Sequence, residues 1–285
     1  MQKFEVPGHE PSFLPDGVNL KLTWQDEFDG DSLDTTKWEF RRAMMGKTWP
    51  SWTDSEKALK VENSNAVFTL IEDETDGHLC CAHLQTGANG FDEPIVDNAA
   101  DQGDGISKTK DDMHWRLGKL HEQKKLFKYG YFECRCRLQQ KEGWWSAFWM
   151  QSPMIGATLD PALSGSEVDV MESFHPNTIN WNNVFTAGYG VDERRTKLGP
   201  LHRDIDSSVY HRFGLLWEKD KYTFFVDGEK TYETTNDVSQ VPEFLLISTE
   251  VYGYRKPDHA PVPAAYDAVG DQFLVDYVRA FEFAE

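Results

Sequence analysis

The sequence predicts an all-β domain, a sandwich or jelly roll of two sheets, on three observations. Short runs of strand-forming residues bounded by turn residues recur along the 285 residues, whereas helical periodicity is scarce. The dipeptide Asp227-Gly228 lies between two such runs and is a strong signal for a tight hairpin. No internal repeat and no Pro/Ser-rich linker interrupts the sequence. Many strands with few helices favour two packed sheets in a single domain, residues 1–285.

Each predicted strand is a short strand-like run bounded by turn residues. In chain order the predicted strands are Ala66–Ile71, Tyr129–Leu138, Ala147–Gln151, Glu167–Glu172, Val184–Tyr189, Phe213–Trp217, Tyr222–Val226, Lys230–Glu233, Phe244–Val251 and Phe273–Phe283. Two long connections, Gly87–Asp112 and Lys256–Gly270, are predicted loops, and a connection as long as Gly87–Asp112 is usually a binding loop or a mobile segment.

The composition excludes several classes of partner. The formal net charge of −19 argues against nucleic acid as a partner. No run of eighteen apolar residues exists, so no membrane span is predicted. Met1–Pro7 has no hydrophobic stretch of the signal-peptide kind, so either the protein stays in the cell or a signal has been removed.

The four cysteines are interpreted as buried free thiols, with disulfides as the alternative. Cys134 and Cys136 alternate with charged residues on a predicted strand and therefore share its apolar face. Cys80 and Cys81 are adjacent, inside the cluster His78–His83. The spacing of that cluster fits no common zinc site, so metal binding is not predicted there.

The most informative segment is Gly165–Ser173, which places three carboxylates in a run that otherwise predicts a buried strand. In a regular strand Glu167 and Asp169 share one face and Glu172 lies on the other. One extra residue between Asp169 and Glu172, a β-bulge, would turn Glu172 to the face of the other two. We therefore predict a bulge and a row of three acids on one surface, the arrangement that glycoside hydrolysis needs.

In this order and with their flanks, the motifs resemble glycoside hydrolase family 16 over nearly the whole chain. The matching segments are the opening strand and turn Thr23–Gly30, the "YGrfE" strand Tyr129–Glu133, the "WPAFW" strand Trp144–Met150, the E-x-D-x-x-E motif Glu167–Glu172 and the last strand Asp276–Arg279. The resemblance implies the family fold, an all-β, concanavalin A-like β-jelly roll of two curved antiparallel sheets with an open substrate cleft on the concave sheet.

The resemblance also implies the chemistry. Glu167 becomes the nucleophile, Glu172 the general acid/base and Asp169 the residue between them, which hydrogen-bonds the nucleophile. The implied activity is a retaining endo-hydrolase of internal β-linkages, and no cofactor is needed for catalysis. We expect β-1,3(1,4)-glucan as the substrate rather than β-galactan of the agar or porphyran type, because the acidic charge counts against sulfated chains. If sulfate is nevertheless bound, its ligands are expected among Arg41, Arg42, Arg194, Arg195 and Arg203.

Five residues are predicted to contact the sugar. Parity places Trp145 and Trp149 on one face and Trp144, Ser146 and Phe148 on the opposite one, and we expect Trp145 and Trp149 to face the sugar while the other set fills the core. Tyr189 and Glu250 lie on strands expected to cross the cleft, and Trp115 lies in a loop, where the alternative is a core position. For Glu250 the alternative is an ion pair with Arg255.

Two further expectations come from the resemblance. Family members often hold a structural calcium away from the cleft, and Glu27 and Asp276 match its positions, although they also fit ordinary surface acids. The partner is a polysaccharide or oligosaccharide, and we expect a monomer that is extracellular or periplasmic, with a cytoplasmic location as the alternative. The competing activities are a transglycosylase, which intercepts the same covalent intermediate with a sugar, and a non-catalytic lectin on the same fold.

Overall fold

The fold is taken from a computed structural model, which describes residues 1–44, 47–49, 51–89, 123–180, 183–185, 195–197, 203–256 and 260–284. The strands of the first half are β1 Gln2–Phe4, β2 Ser12–Leu14, β3 Leu20–Asp26, β4 Glu39–Phe40, β5 Ala43–Met44, β6 Lys47–Thr48, β7 Leu59–Val61, β8 Ala66–Thr69, β9 Ile71–Glu72, β10 Leu79–Cys80, β11 His83–Gln85, β12 Gly130–Arg137 and β13 Trp144–Gln151. Those of the second half are β14 Glu167–Ser173, β15 Thr178–Ile179, β16 Asn183–Phe185, β17 Arg195–Lys197, β18 Arg203–Asp204, β19 His211–Trp217, β20 Tyr222–Val226, β21 Glu229–Thr234, β22 Phe244–Val251 and β23 Gln272–Phe283. The two described helices are α1 Pro161–Ser164 and α2 Pro263–Asp267.

Two antiparallel sheets form the body of the domain. The seven-stranded sheet has the order β17-β16-β14-β13-β22-β11-β4, and the eight-stranded sheet has the order β21-β20-β19-β12-β23-β8-β7, with β3 also paired to β23. The remaining described strands form two-stranded hairpins or ladders at the margins. The all-β, two-sheet prediction is confirmed.

The main hydrophobic core lies between the two sheets. From the seven-stranded sheet it takes the side chains of Trp144, Phe148 and Ile247, and from the eight-stranded sheet those of Phe132 and Trp217, all almost fully buried. Strand alternation therefore sends every second residue of the seven-stranded sheet away from this core. We call that opposite side the outer face, and it carries the candidate site.

The N-terminal hairpin β1–β2 covers the other side of the eight-stranded sheet, around Tyr131 and Phe281. Glu133 is fully buried there and accepts a hydrogen bond of 3.0 Å from the backbone N–H of Phe13. Glu133 lies on the face of β12 opposite Cys134 and Cys136, as the alternation along this strand predicts. The hairpin that covers it comes from a distant part of the sequence, which strand parity cannot reveal.

Several local predictions can be checked directly. Asp227 and Gly228 both have positive φ, 52° and 79°, as a tight hairpin turn between β20 and β21 requires. All four cysteines are free and buried. The predicted loop Lys256–Gly270 contains the short helix α2, which begins at a proline in the first helical position. Residues 186–189 of the predicted strand Val184–Tyr189, and residues 90–112 of the loop Gly87–Asp112, lie outside the described residues. Within the part of the chain that is described, no helix is long and apolar enough to cross a membrane.

Candidate active site

The catalytic-motif strand β14 starts from a constrained turn. Gly165 ends helix α1 with a φ of 74°, and a Cβ at this position would overlap Ser152. The next residue, Ser166, donates its backbone N–H to the buried carboxylate of Glu243 at 3.0 Å. Its carbonyl accepts a hydrogen bond of 3.0 Å from the Ser152 N–H, so the residue before Glu167 is held on both sides.

The predicted bulge lies within β14. Phe148 of β13 pairs with Met171, whereas the next residue, Trp149, pairs with Asp169, so Val170 is the extra residue. Val170 and Met171 are consecutive, yet both belong to the core between the sheets. Two successive inward residues are what one inserted residue produces, and the bulge prediction is confirmed.

The bulge places the three acids on the outer face. Residues opposite each other in an antiparallel ladder share a face, and the cross-strand partners of Glu167, Asp169 and Glu172 are Gln151, Trp149 and Ala147. Glu167 and Asp169 are 8% and 5% exposed, and Glu172 is half-buried. The strand thus brings the three sequence-predicted acids into one row.

Hydrogen bonds hold both ends of this row. The Gln151 side-chain Nε2 donates to Glu167 Oε2 at 2.9 Å, and the side-chain oxygen of Gln151, Oε1, accepts a hydrogen bond from the side-chain Nδ2 of Asn89. At the other end the backbone of Glu172 exchanges two hydrogen bonds with Asn180, of 2.8 and 2.7 Å. The pairing continues past the bulge, so the direction of Glu172 is fixed by the ladder and not by a loop.

Trp149 is on the outer face, together with Trp145 as parity predicts, and its side chain is half-buried. Its indole N–H donates to Ser248 Oγ at 2.9 Å. The His83 ring and the Arg41 guanidinium lie 5.7 and 5.5 Å from its ring centre. These contacts hold the indole in one orientation at the floor of the face, beside Asp169.

Trp145 also lies on the outer face, but its ring is covered. It is 7% exposed and packs against Tyr252, with ring centroids 4.7 Å apart, and against Phe174 at 5.8 Å. The guanidinium of Arg255 lies 5.3 Å from the ring centre. Parity correctly placed Trp145 on the face of Trp149 but gave no information about these neighbours.

Glu250 forms the ion pair that was the alternative to sugar binding. Arg255 Nε donates to Glu250 Oε1 at 2.8 Å and Arg255 Nη2 donates to Oε2 at 2.6 Å. The Glu250 side chain is only 4% exposed, whereas that of Arg255 is 61% exposed. The carboxylate is therefore held beneath the guanidinium, and the arginine forms the surface.

His83 adds an uncharged group to the same face. It lies opposite Ser248 in the ladder of β11 and β22 and contacts Trp52 edge-on, with ring centroids 4.5 Å apart. Burial lowers the pKa of His83 well below its usual value, and the positive charges of Arg41 and Arg255 act in the same direction. The imidazole is therefore neutral at physiological pH.

The contacts of Glu27 and Asp276 do not fit a calcium site. Both oxygens of Glu27 accept hydrogen bonds of 2.7 Å from the buried Arg279, and Asp276 accepts one of 2.6 Å from Arg135. Among the described residues no group of three or more Asp, Glu, His or Cys side chains could hold a metal ion. Arginines supply the positive charge that calcium would supply, so we assign no function to a metal.

The other predicted binding residues are distributed as follows. Trp115, Tyr189 and Arg194 lie outside the described residues, as do the side chains of Arg195 and Arg203. Arg42 is exposed and pairs with Asp54 at 2.8 Å. Arg41 is 3% exposed, against the rings of Trp52 and Trp149, so it is not a surface sulfate ligand.

Sequence reasoning missed three polar residues of the outer face: Gln151, His83 and Arg255. A signal existed for Gln151, since parity places it with Trp145 and Trp149 on a strand that was already assigned. Arg255 was considered only as the partner of Glu250. His83 was considered only for zinc, because nothing in the sequence shows that β11 joins this sheet.

Comparison with known proteins agrees with this geometry. A family model described as "Glycosyl hydrolases family 16" matches residues 50–252. Glucan endo-1,3-beta-glucosidase A1 of Niallia circulans is 26% identical over 290 residues, which cover 93% of this chain and 38% of that protein. The chain thus spans well under half the length of that relative.

Two solved structures are similar in fold. The endo-beta-1,3-glucanase of Pyrococcus furiosus superposes with a TM-score of 0.66 at 21% identity, over 95% of this chain and 97% of that one. The laminarinase of Rhodothermus marinus gives a TM-score of 0.66 at 21% identity, over 94% and 100%. At this identity the likeness shows a common fold, the jelly roll of these enzymes.

Proposed function

Because the chain belongs to glycosyl hydrolase family 16, we propose that it is a retaining, endo-acting hydrolase of internal β-linkages in β-1,3(1,4)-glucan. The observation that carries the proposal is the bulge at Val170, which turns Glu172 to the face of Glu167 and Asp169. The names of two relatives, glucan endo-1,3-beta-glucosidase A1 of Niallia circulans and endo-1,3-1,4-beta-glycanase EglC of Rhizobium meliloti, support glucan as the polymer.

In the first step the Glu167 carboxylate attacks the anomeric carbon, and the bond to the leaving oxygen breaks as Glu172 donates its proton to that oxygen. The product is a glycosyl ester on Glu167. In the second step Glu172, now ionised, takes a proton from water, and the resulting hydroxide equivalent displaces Glu167. Two inversions at one carbon retain the β configuration.

The surrounding residues support these roles. The Gln151 amide donates to Glu167 Oε2, which orients the attacking carboxylate and stabilises its ionised form. Glu172 lies opposite Ala147, whose small side chain leaves space beside the acid for a leaving group or water. Asp169 is the third acid of the row and lies between Glu167 and Glu172, opposite Trp149.

Part of the proposal concerns the setting of the reaction. Polymeric glucan does not cross membranes, so we place the enzyme's action outside the cytoplasm, in the extracellular space or the periplasm, where it degrades the polysaccharide. A monomer is sufficient for the proposed chemistry, because one chain supplies all three acids.

The test is reducing-end release by the wild-type protein across laminarin, lichenan, agarose, porphyran, carrageenan and xyloglucan. We expect release from laminarin and lichenan, loss of at least about 10³-fold in Glu167→Gln, and a loss of about 10²–10⁴-fold in Glu172→Gln. Glu74→Gln, at an exposed surface ion pair, is the control for removing one carboxylate.

Each competing function has its own outcome in this experiment. Cleavage of agarose or porphyran without cleavage of the glucans would show that the substrate is a β-galactan and not a β-glucan. Longer products in the presence of an acceptor sugar would indicate a transglycosylase. Binding without turnover would indicate a lectin, and undiminished activity of Glu167→Gln would overturn the mechanism.

A further inference from the structure

The outer face presents an arginine where the sequence predicts an aromatic platform. Trp145 is 7% exposed because Tyr252, Phe174 and Arg255 cover its ring. The Arg255 side chain, by contrast, is 61% exposed. A sugar that approaches this part of the face therefore meets the guanidinium before it meets the indole.

Arg255 is held in place by a residue built into the sheet. Glu250 pairs with Trp145 across β22 and β13, and its 4% exposed carboxylate binds Nε and Nη2 at 2.8 and 2.6 Å. A two-point contact of this kind fixes the plane of the guanidinium as well as its position. Stacking against the indole adds a third constraint. The Arg255 side chain is therefore already ordered in the absence of ligand, so binding does not carry the entropic cost of immobilising it.

The fixed guanidinium lies within electrostatic range of the catalytic residues. The charges of Glu172 and Glu167 act on Arg255, in addition to that of Glu250. On the other side, Arg255 acts on His83 of β11. The arginine follows β22, which lies between the catalytic strand β14 and β11 in the sheet order, along the direction in which a chain crossing the strands would lie.

We propose that Arg255, positioned by Glu250, is a substrate-binding residue whose guanidinium donates hydrogen bonds to the hydroxyl groups of a neutral glucan unit beside the catalytic acids. This inference rests on the proposed function and specifies how the same site recognises its substrate. A guanidinium has five N–H donors, and Glu250 uses two of them, which leaves three for a ligand. In this arrangement Glu250 is a positioning residue and does not bind the sugar itself.

The charge balance favours hydroxyl groups over an anionic ligand. Glu250 neutralises Arg255, so the pair as a whole carries no net charge. An incoming sulfate or carboxylate would meet the negative charges of Glu167, Asp169 and Glu172 on the same face. A hydroxyl group accepts a hydrogen bond from the arginine without that repulsion.

The test measures binding and turnover separately. Binding of laminaritetraose is measured by titration calorimetry in the inactive Glu167→Gln background, and kcat and KM on laminarin are measured with Glu167 intact. We expect Arg255→Met to weaken binding about 10- to 100-fold and to raise KM more than it lowers kcat. Lys57→Met, which removes an exposed cation paired with Glu74, controls for the change of charge.

A double variant separates sugar binding from charge compensation. Arg255→Met alone leaves a buried carboxylate unpaired and lowers stability, so Glu250→Gln/Arg255→Met removes both charges together. If Arg255 binds the sugar, the double variant stays as weak as Arg255→Met while its melting temperature recovers. If Arg255 only neutralises Glu250, the double variant regains wild-type affinity, and the inference is overturned.

The remaining outcomes are equally decisive. Loss of binding that is confined to sulfated polymers, with laminaritetraose unaffected, would overturn hydroxyl recognition. If wild type cleaves laminarin and Arg255→Met binds laminaritetraose and cleaves laminarin equally well, the inference is overturned and the proposed function stands. Failure of the wild-type protein to bind or cleave any neutral glucan would overturn both.

Discussion

Glu243 makes the stability of this protein depend on pH near neutrality. The residue is fully buried just before β22, and its carboxylate accepts the N–H of Ser166, next to the proposed nucleophile. Burial raises the pKa of Glu243 from 4.5 to about 8, and the charge of Glu167 acts in the same direction. The folded protein therefore holds a proton on Glu243 through a range in which the unfolded chain has released it.

The size of the effect follows from the two pKa values. Between about pH 4.5 and 8 the folded state binds one more proton than the unfolded state at this residue, so its contribution to the unfolding free energy falls as pH rises. The slope is about 1.4 kcal/mol per pH unit. The contribution is complete below pH 4.5 and is lost once the pH passes 8.

Glu243→Gln removes this dependence and keeps an oxygen that can accept the Ser166 N–H. We expect the free energy of unfolding of the variant, relative to wild type, to increase by about 1.4 kcal/mol for each pH unit between pH 5 and 8. Urea unfolding of both proteins at pH 5, 6, 7 and 8 measures it, with Glu74→Gln as the exposed control. Parallel curves for wild type and Glu243→Gln would refute a buried proton on Glu243.

Three other changes have expected outcomes. Gly165→Ala forces a side chain against Ser152 at a positive φ, so it should lower the free energy of unfolding in urea by about 1–3 kcal/mol more than Gly17→Ala does. Gly17 also has a positive φ, but its surroundings are open, and equal losses in the two variants would contradict the close contact at Gly165. Gln151→Met, which removes the donor to Glu167 and the acceptor of the buried Asn89 amide, should lower kcat about 10- to 100-fold and also lower the melting temperature; an unchanged kcat at a temperature where the variant is folded would exclude the role of Gln151 at Glu167. A chelator should leave the melting temperature unchanged, because arginine side chains already pair with Glu27 and Asp276, the two carboxylates expected to bind calcium. A drop in melting temperature that added calcium reverses would show a metal site.

Local patterns in the sequence predicted the geometry of β14 and its neighbour β13 well. Alternation along Trp144–Met150 placed Trp145 and Trp149 on one face, opposite Trp144, and the spacing of the three acids required a bulge that the ladder contains. Asp227-Gly228 predicted its hairpin for an equally local reason, because both residues must adopt positive φ. Each of these features depends on neighbours within a few residues in the chain.

The features that the sequence did not predict depend on contacts between distant segments. Arg255 covers Trp145 across 110 positions in the sequence, and Phe13 covers Glu133 across 120. Parity gives the face on which a residue lies but not what covers that face, so it predicts neither the side chains that cover Trp145 nor the burial of Glu133. The pairing of β11 with β22, which brings His83 to the site, is long-range for the same reason.

The assignment of Glu167 and Glu172 is the central claim, and azide rescue tests it most directly. Each residue is replaced by alanine, and the variant is given an aryl β-laminaribioside with an activated leaving group and sodium azide. Azide replaces the missing nucleophile in Glu167→Ala by one displacement and should give the α-glycosyl azide. In Glu172→Ala it should open the ester on Glu167 and give the β-glycosyl azide. Proton NMR of the anomeric hydrogen distinguishes the two products, and reversed anomers, or no azide product from either variant, would contradict the assignment.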